Sequence, residues 1–535
     1  MANEQNQDQE KIVEEQFDNK VNDTTLLALI KDWETEADEF QSNLKRIWEE
    51  NLLYYKGIQT DVQKIRGKNS KAVENRIFMA IETMIPLVTA RLPDAIVKPG
   101  QEDEQSVIDA LDLQDILEYH FERVHIQELA ERWIRDMVVK RYGVFKIYWD
   151  RDRDDVALKV IDPRRIKIPQ YGKTVDELAF VIEELEMSYR QIEDFFGDAV
   201  AKKVKSQKQE SDTKVRKKTY CIQEIWTNEF VVWKAGNEIL KKEENLFYKD
   251  GGFFSYPKKP YVIKSLFETE DCIVGDTDYI QQVKYIQDNI NTRKRQLEDI
   301  TAKVSNPYLL IDSDVMSEEQ ASGITNEPGS ILYGKDAASG TKIRFESPGQ
   351  VSNAIFQDLQ LSRQEFDNIW GIHSTTRGER QGKETLGGRQ ILREADLGRV
   401  DLIGRTLERA LDEIAEYWTQ LISLFYTEEK TFTILGQDGV RFVKNFTADR
   451  VGKVKPMVKS GSTLKEDEFS IKQSGIMLWQ SKAIGLKTLY KMLKLPNMQG
   501  AIDDYIETQS GAILQGAQAP QVVQQGPEEQ PGTLL

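Results

Sequence analysis

Apolar positions along the chain change their period several times, and those changes mark its parts. From Asn22 onward, Leu26, Ile30, Trp33, Ala37, Phe40, Leu44 and Ile47 recur at alternating spacings of four and three, the period of one helix face. Asp23 or Thr24 can cap this helix and Gly57 can stop it. Its aromatic members read as core, because a stripe at helical spacing needs no cofactor to explain it. A second helical segment, Ala72–Leu92, is expected to be interrupted at Pro86 and ended by Pro93. A third is predicted from about Gln105 to Tyr142, carrying Val107, Leu111, Ile116, Trp133 and Val138 and closing at Gly143. The period then drops to two. Val144–Trp149, Ala157–Ile168, Ala179–Glu186 and Tyr220–Trp233 read as strands, with a short helix near Tyr189–Phe196.

The stretch from Gly275 to Tyr426 organises the rest. A helix over Asp276–Val304 would be roughly 40 Å long at 1.5 Å per residue. Its apolar stripe (Tyr279, Val283, Ile286, Ile290, Leu297, Ile300, Val304) is narrow and lapses at Arg293 and Lys294. Such a stripe suits packing against neighbouring helices in an assembly. After Pro307, the segments Tyr308–Ile311, Ile331–Tyr333 and Ile343–Phe345 read as short strands. A second helix carries Ile355, Leu359, Phe366 and Ile369 from Ser352 to Gly371. The stretch Gly371–Gly388, GIHSTTRGERQGKETLGG, is polar and glycine-rich and has little to bury, so it reads as a loop. A third, longer helix spans Arg389–Tyr426. Its second half is amphipathic through Ile403, Leu407, Ala410, Ile414, Trp418, Leu421 and Phe425. Its first half is charged, and Gly398 and Gly404 sit near the junction, where a kink is easiest. A hairpin (Thr431–Ile434 with Val440–Lys444) follows, then helical segments over Phe469–Gly485, Leu486–Leu495 and near Ala501–Thr508. Residues 1–21 and the Gln/Pro/Gly-rich 511–535 read as disordered tails.

At 535 residues the chain has room for two to four domains and a substantial core. Its 39% apolar and 30% charged residues are those of a globular protein. The net charge of −17 argues against tight, phosphate-neutralising nucleic-acid binding, but not against letting nucleic acid pass. Two cysteines without a CxxC pair, Cys221 and Cys272, fit a reducing compartment and argue against a disulfide framework or a cysteine zinc site. The polar N-terminus lacks the apolar core of a signal peptide, and no window has the roughly 18 apolar residues of a membrane span.

Tests for site chemistry fail one by one. In the glycine-rich loop, Gly378 and Gly382 are separated by three residues where a phosphate-binding loop needs four, and Glu384 follows Lys383 where Ser or Thr should hold magnesium. His373 has no partner pattern for a triad. His120 and His125 are five apart, and a helical metal pair needs four. The run Asp150–Asp155 resembles a calcium loop. However, Asp155 stands where the turn glycine belongs and Ile161 where the bidentate glutamate belongs. The basic run Lys202–Lys218, eight Lys/Arg against two acids, lacks interleaved aromatics and reads as a solvated loop. No catalytic, cofactor or metal residue is expected.

Several stretches together carry a family resemblance. They are Trp33, Trp48 and Tyr54-Tyr55 before Gly57, and VIDPRRI from Val160. They continue with SNPYLLI at the end of the first long helix, PGSILY, NIWGI, and ETLGGRQILREAD. Over most of residues 22–510 the chain resembles tailed-bacteriophage portal proteins, the head-to-tail connectors. The resemblance implies an α+β, mainly helical subunit with wing, stem, clip and crown, assembling as a ring of twelve. Residues 22–275 would be the wing, 276–304 and 352–370 the two stem helices, 305–351 the clip and 371–388 a tunnel loop. The kinked long helix would be 389–426, the wing return strands 427–465 and the crown 466–510. Expected partners are viral double-stranded DNA in transit, the terminase motor, a head-completion or tail adaptor, and the major capsid and scaffold proteins. No membrane or cofactor is implied. The expected site is the portal vertex of the virion, with the chain made in host cytoplasm. Arg377, Arg380 and Lys383 would touch DNA phosphates from the tunnel loop, and Arg293 and Lys294 would face the channel from the stem. Two other readings compete: a virion or tail scaffold without a channel, and a nucleotide-dependent enzyme using Gly378–Thr385.

Overall fold

The computed structural model describes residues 23–59, 70–90, 95–99, 103–207, 219–247, 254, 256–268, 271–305, 308–311, 317–319, 343–346, 352–372, 386–435, 441–451, 455–458, 475–481, 483–485, 488–489 and 493. Helix, at about 59%, outweighs strand at about 20%, so the chain is α+β and mainly helical. It divides into two compact units, residues 1–428 with 447–464, and residues 429–446 with 465–535.

In the first unit, helix α1 (Asp23–Tyr55) opens the fold. Its stripe Leu26, Ile30, Trp33 and Ala37 is buried against Phe180, Ile182, Ile225, Phe230 and Val232. Trp33 stacks on Phe180 with ring centroids 5.1 Å apart. Each large side chain so buried contributes about 1.5–3 kcal/mol, so this one face suffices to dock the helix. Helix α2 (Arg76–Thr89) is shorter than its periodicity suggests. Asn75 caps it by accepting from the Phe78 amide, and Pro86 sits inside without ending it. A short strand, β1 (Ala95–Lys98), follows.

The single helix expected over residues 105–142 is two helices, α3 (Glu104–Arg123) and α4 (Ile126–Lys140). His125, between them, adopts a left-handed conformation (φ 51°), which no helix interior tolerates. Arg141, also left-handed (φ 73°), ends α4 in the place expected of Gly143. Gly143 serves packing instead. A Cβ there would lie 2.8 Å from the Trp133 carbonyl oxygen and 2.7 Å from its indole nitrogen, so only glycine lets the strand pass.

That strand, β2 (Tyr142–Asp150), is the centre of a three-stranded antiparallel sheet ordered β3-β2-β9, with β3 Asp155–Ile161 and β9 Tyr261–Ser265. The Asp150 carboxylate accepts the amides of Asp152 and Arg153, closing the turn with its own backbone. The strand expected over Ala157–Ile168 breaks at Pro163–Arg165, a single 3-10 turn capped by Asp162. A second, five-stranded antiparallel sheet then runs β4 (Ile166–Lys167), β5 (Val181–Ser188), β6 (Thr219–Trp226), β7 (Phe230–Ala235) and β8 (Glu238–Glu244). Helices α5 (Tyr189–Phe196) and α6 (Asp198–Gln207) lie between β5 and β6. Of the Lys202–Lys218 run, 202–207 belongs to α6 and 208–218 lies outside the described residues.

A charged cluster ties the two sheets together. Lys146 of β2 donates to Glu183 of β5 at 2.5 Å and to Glu224 of β6 at 2.6 Å. Lys159 and the Tyr261 hydroxyl also donate to Glu183, and the Trp226 indole donates to Glu224. Burial alone would push the Lys146 pKa down and that of Glu183 up. The opposite charges more than offset it, so Lys146 is raised and Glu183 lowered.

Helix α7 (Tyr279–Ser305) and helix α8 (Asn353–Trp370) follow, with β10 (Tyr308–Ile311) and β11 (Ile343–Glu346) paired antiparallel between them. The strand expected at 331–333 lies outside the described residues. Helix α9 (Leu386–Phe425) is continuous over 40 residues and begins inside the stretch read as loop. Its apolar face lies on the three-stranded sheet. The Trp418 indole donates to the Ala157 carbonyl and the Tyr417 hydroxyl to that of Lys259. His120, fully buried on α3, shares a 3.0 Å hydrogen bond with the Tyr426 hydroxyl, which also donates to Asp155. This histidine is a core side chain. Strand β14 (Lys455–Val458) returns to pair antiparallel with β1. In the second unit, β12 (Lys430–Leu435) and β13 (Arg441–Phe446) form an antiparallel hairpin, and residues 475–480 are helical.

Candidate channel helices and their anchor

Helices α7 and α8 run antiparallel, and three contacts fix their register. Tyr279 meets Trp370 (ring centroids 5.0 Å), Asn289 donates to Ser362 (2.8 Å), and Arg293 pairs with Asp358 (2.5 Å). Each step along α7 is therefore matched by a step back along α8. Leu359, Phe366 and Trp370 fill the seam from one side, Val283 and Ile290 from the other.

A second face of the pair is strapped to the body by the segment leading into α2. The Glu74 carboxylate takes both prongs of the Arg363 guanidinium (2.9 and 2.6 Å), with Lys294 and Arg76 each 3.5 Å away. Arg76 also pairs with Asp367 at 2.6 Å and lies over the Phe366 ring. The buried amides Gln287 and Asn291 treat the 74–76 backbone as a strand partner. Gln287 donates to the Glu74 carbonyl and accepts the Arg76 amide, and Asn291 accepts the Glu74 amide. Further along, Arg295 donates to the Ala72 carbonyl and Asp299 accepts the Ser70 amide. Helix α1 clasps a third face through Tyr54 to Asp288, Gln281 to Asn51, and Lys284 to Glu50. Burial would raise the Glu74 pKa, but the Arg363 hydrogen bond and the charges of Arg363, Lys294 and Arg76 hold it below the usual glutamate range.

The face left uncovered is almost free of charge. Among the described side chains of the two helices, the exposed ones include Gln282, Tyr285, Thr292 and Gln296 on α7. On α8 they include Asn353, Gln357, Gln360, Leu361, Gln364 and Asn368. Two exposed residues are charged: Glu298, which accepts from Ser70, and Glu365. For a chain with 30% charged residues, that depletion marks a surface not meant for bulk water. At the base of the pair, Tyr279, Gln282 and Ile369 line an apolar groove with Phe267 and with Gly398 and Leu402 of α9.

Arg293 and Lys294, expected to face a channel, are both engaged within the subunit, Arg293 with Asp358 and Gln296, Lys294 with Glu74. Arg377, Arg380 and Lys383 lie outside the described residues, as does His373. Helix α9 continues through Gly398 and Gly404, and a Cβ on Gly398 would meet nothing within 4 Å. Glu74 gave no signal in the sequence, being one acid among many. The inter-sheet cluster did give one, since Lys146 interrupts the apolar strand VFKIYW. Among the described residues no cluster of His, Cys, Asp and Glu could hold a metal, and no helix is long and apolar enough to cross a membrane.

The described fold is built around a strapped helix pair. A family model, described as phage P22-like portal protein, matches residues 183–465, from the second sheet through α7, α8 and α9 to β14. That is more than half of the chain, which therefore belongs to the phage P22-like portal protein family. The family is one of structural head-to-tail connectors of the virion, associated with genome packaging, and is not an enzyme family. No curated protein matches the chain.

Proposed function

We propose that copies of this chain close into a ring at one capsid vertex, forming the channel through which double-stranded viral DNA enters and leaves. The observation that carries this reading is the α7–α8 pair. Other parts of the subunit hold it on two faces, and an uncharged face is left for something outside the subunit. In such a ring the pair is the stem, residues 305–351 the clip that meets the terminase motor and later a tail adaptor, and residues 22–275 the outer wing. Residues 371–385, between α8 and α9, are the tunnel loop of this reading, in which Arg377, Arg380 and Lys383 make passing phosphate contacts. Phosphate contacts carry little sequence information, which suits a conduit for any DNA. Gly398 and Gly404 are where the long helix can bend in such a ring. Residues 466–510 form the crown, and capsid and scaffold proteins surround the wing. A chain with net charge −17 in every copy repels the duplex it surrounds, so DNA slides instead of binding.

Light scattering on the purified full chain tests the assembly. The expected result is a discrete species near twelve times the 61.7 kDa subunit mass. A strictly monomeric protein at micromolar concentration, with or without a scaffold protein, would refute it.

A further inference from the structure

The uncharged surface has two parts, and they differ in direction. At 100° per residue, Asn353, Gln357, Gln360, Gln364 and Asn368 fall on the side of α8 roughly opposite its α7-facing row of Asp358, Ser362, Phe366 and Trp370. They form the outer edge of the pair. On α7, the uncovered row is Gln282, Tyr285, Thr292 and Gln296, with half-buried Asn289 among them. Helix α1 and the 70–76 segment occupy the other sides. Tyr285 stands out because it is 78% exposed, the largest exposure among the described large apolar and aromatic residues.

The occupant these rows fit is a second copy of this chain. Both rows are neutral, so either can be buried without stranding a charge. A carboxamide both donates and accepts, so amides on one face satisfy amides and hydroxyls on the other without a separate complementary surface. A duplex would instead call for cations facing its phosphates, and neither row has any. The registers also agree. The contacts Asn289–Ser362 and Arg293–Asp358 place Tyr285 level with Phe366, between Gln364 and Asn368. In the same way Thr292 stands level with Leu359, between Gln357 and Gln360. Rotation about an axis parallel to the pair preserves height. Each α7 side chain therefore arrives at a gap between two α8 amides of the neighbour.

We propose that the amide edge of α8 in one subunit seats against the uncovered row of α7 in the next, with Tyr285 inserted between Gln364 and Asn368 of the neighbour. The Tyr285 hydroxyl is then within reach of the neighbour's Glu365. This rests on the ring reading above and identifies the contact that closes it. The interface is heterologous, as ring closure requires, because two different faces meet. It is also insensitive to salt, having no charge pair at its centre.

Cysteine crosslinking in the full chain tests the contact. In a Cys221→Ser background, which leaves only the buried Cys272, the double variant Tyr285→Cys with Gln364→Cys is oxidised and run on a denaturing gel. A ladder from dimer upward is expected, with each single variant remaining monomeric. Rings visible by microscopy that yield no ladder would overturn the proposed contact and leave the ring intact as a reading. An unmodified chain that forms no ring would instead overturn the reading on which the contact rests.

Discussion

Replacing Lys146 with methionine is expected to lower the stability of the first unit by about 3–5 kcal/mol, the range for removing one partner of a buried ion pair. The side chain is 6% exposed and stands between two carboxylates, Glu183 at 2% and Glu224 at 8%. Without the ammonium, Glu183 retains Lys159 and Tyr261, whereas Glu224 is left with the neutral Trp226 indole as donor. Two buried carboxylates, cross-strand neighbours on β5 and β6, are then left side by side, and one must take up a proton or draw in water. Thermal melting read by circular dichroism should show the loss. The double variant Lys146→Met, Glu224→Gln leaves Lys159 paired with Glu183, restores the charge balance and should recover most of it. A single variant that melts with the wild type would mean that packing alone holds the sheets together.

The second large effect is expected at the anchor of the helix pair. Changing Glu74 to alanine strands the Arg363 guanidinium and loosens Arg76 and Lys294, at a cost of about 2–3 kcal/mol for a charged, partly buried hydrogen-bond set. The loss should be local. Hydrogen-exchange protection should fall across Gln287–Asp299 and Asp358–Asp367 while the β2 and β5 amides keep theirs. The same link has a pH dependence of known sign. Glu74 titrates below its unfolded value of about 4.3, so its contribution is complete above that pH and is lost as pH falls through the lowered value. Protection of the helix pair should therefore drop in acid in the wild type, and this acid step should be absent in Glu74→Ala. Unchanged protection in the variant would show that the strap holds without the Glu74 carboxylate, through Arg76–Asp367 and the backbone contacts of residues 70–76.

Much of this fold was legible as periodicity. The 26-30-33-37 stripe of α1, the two long helices either side of a short strand pair, and the drop to period two at residue 144 each correspond to elements of the structure. What escaped was decided by backbone conformation or by distant partners. No pattern in the apolar spacing marks His125 as left-handed, so one helix was expected where two stand. The VIDPRRI segment reads as strand by composition, yet Asp162 caps a turn within it. Arg293 and Lys294 interrupt a stripe and so read as solvent-facing. Their partners, Asp358 and Glu74, lie 65 and 220 residues away in sequence, beyond what local spacing can report. The neutral edge of α8 was legible in principle as Asn353, Gln357, Gln360, Gln364 and Asn368. It gained meaning only once Arg363 and Asp367 were seen to face the body.

The central claim is that the subunit is one segment of a conduit, and a direct image tests it best. Negative-stain electron microscopy of the purified full chain should show end-on particles that are closed rings with an open centre. Side views should show a narrower stalk where the α7–α8 pairs stand together. Discrete assemblies with a solid centre, or a field of single subunits in the presence of scaffold protein, would contradict it.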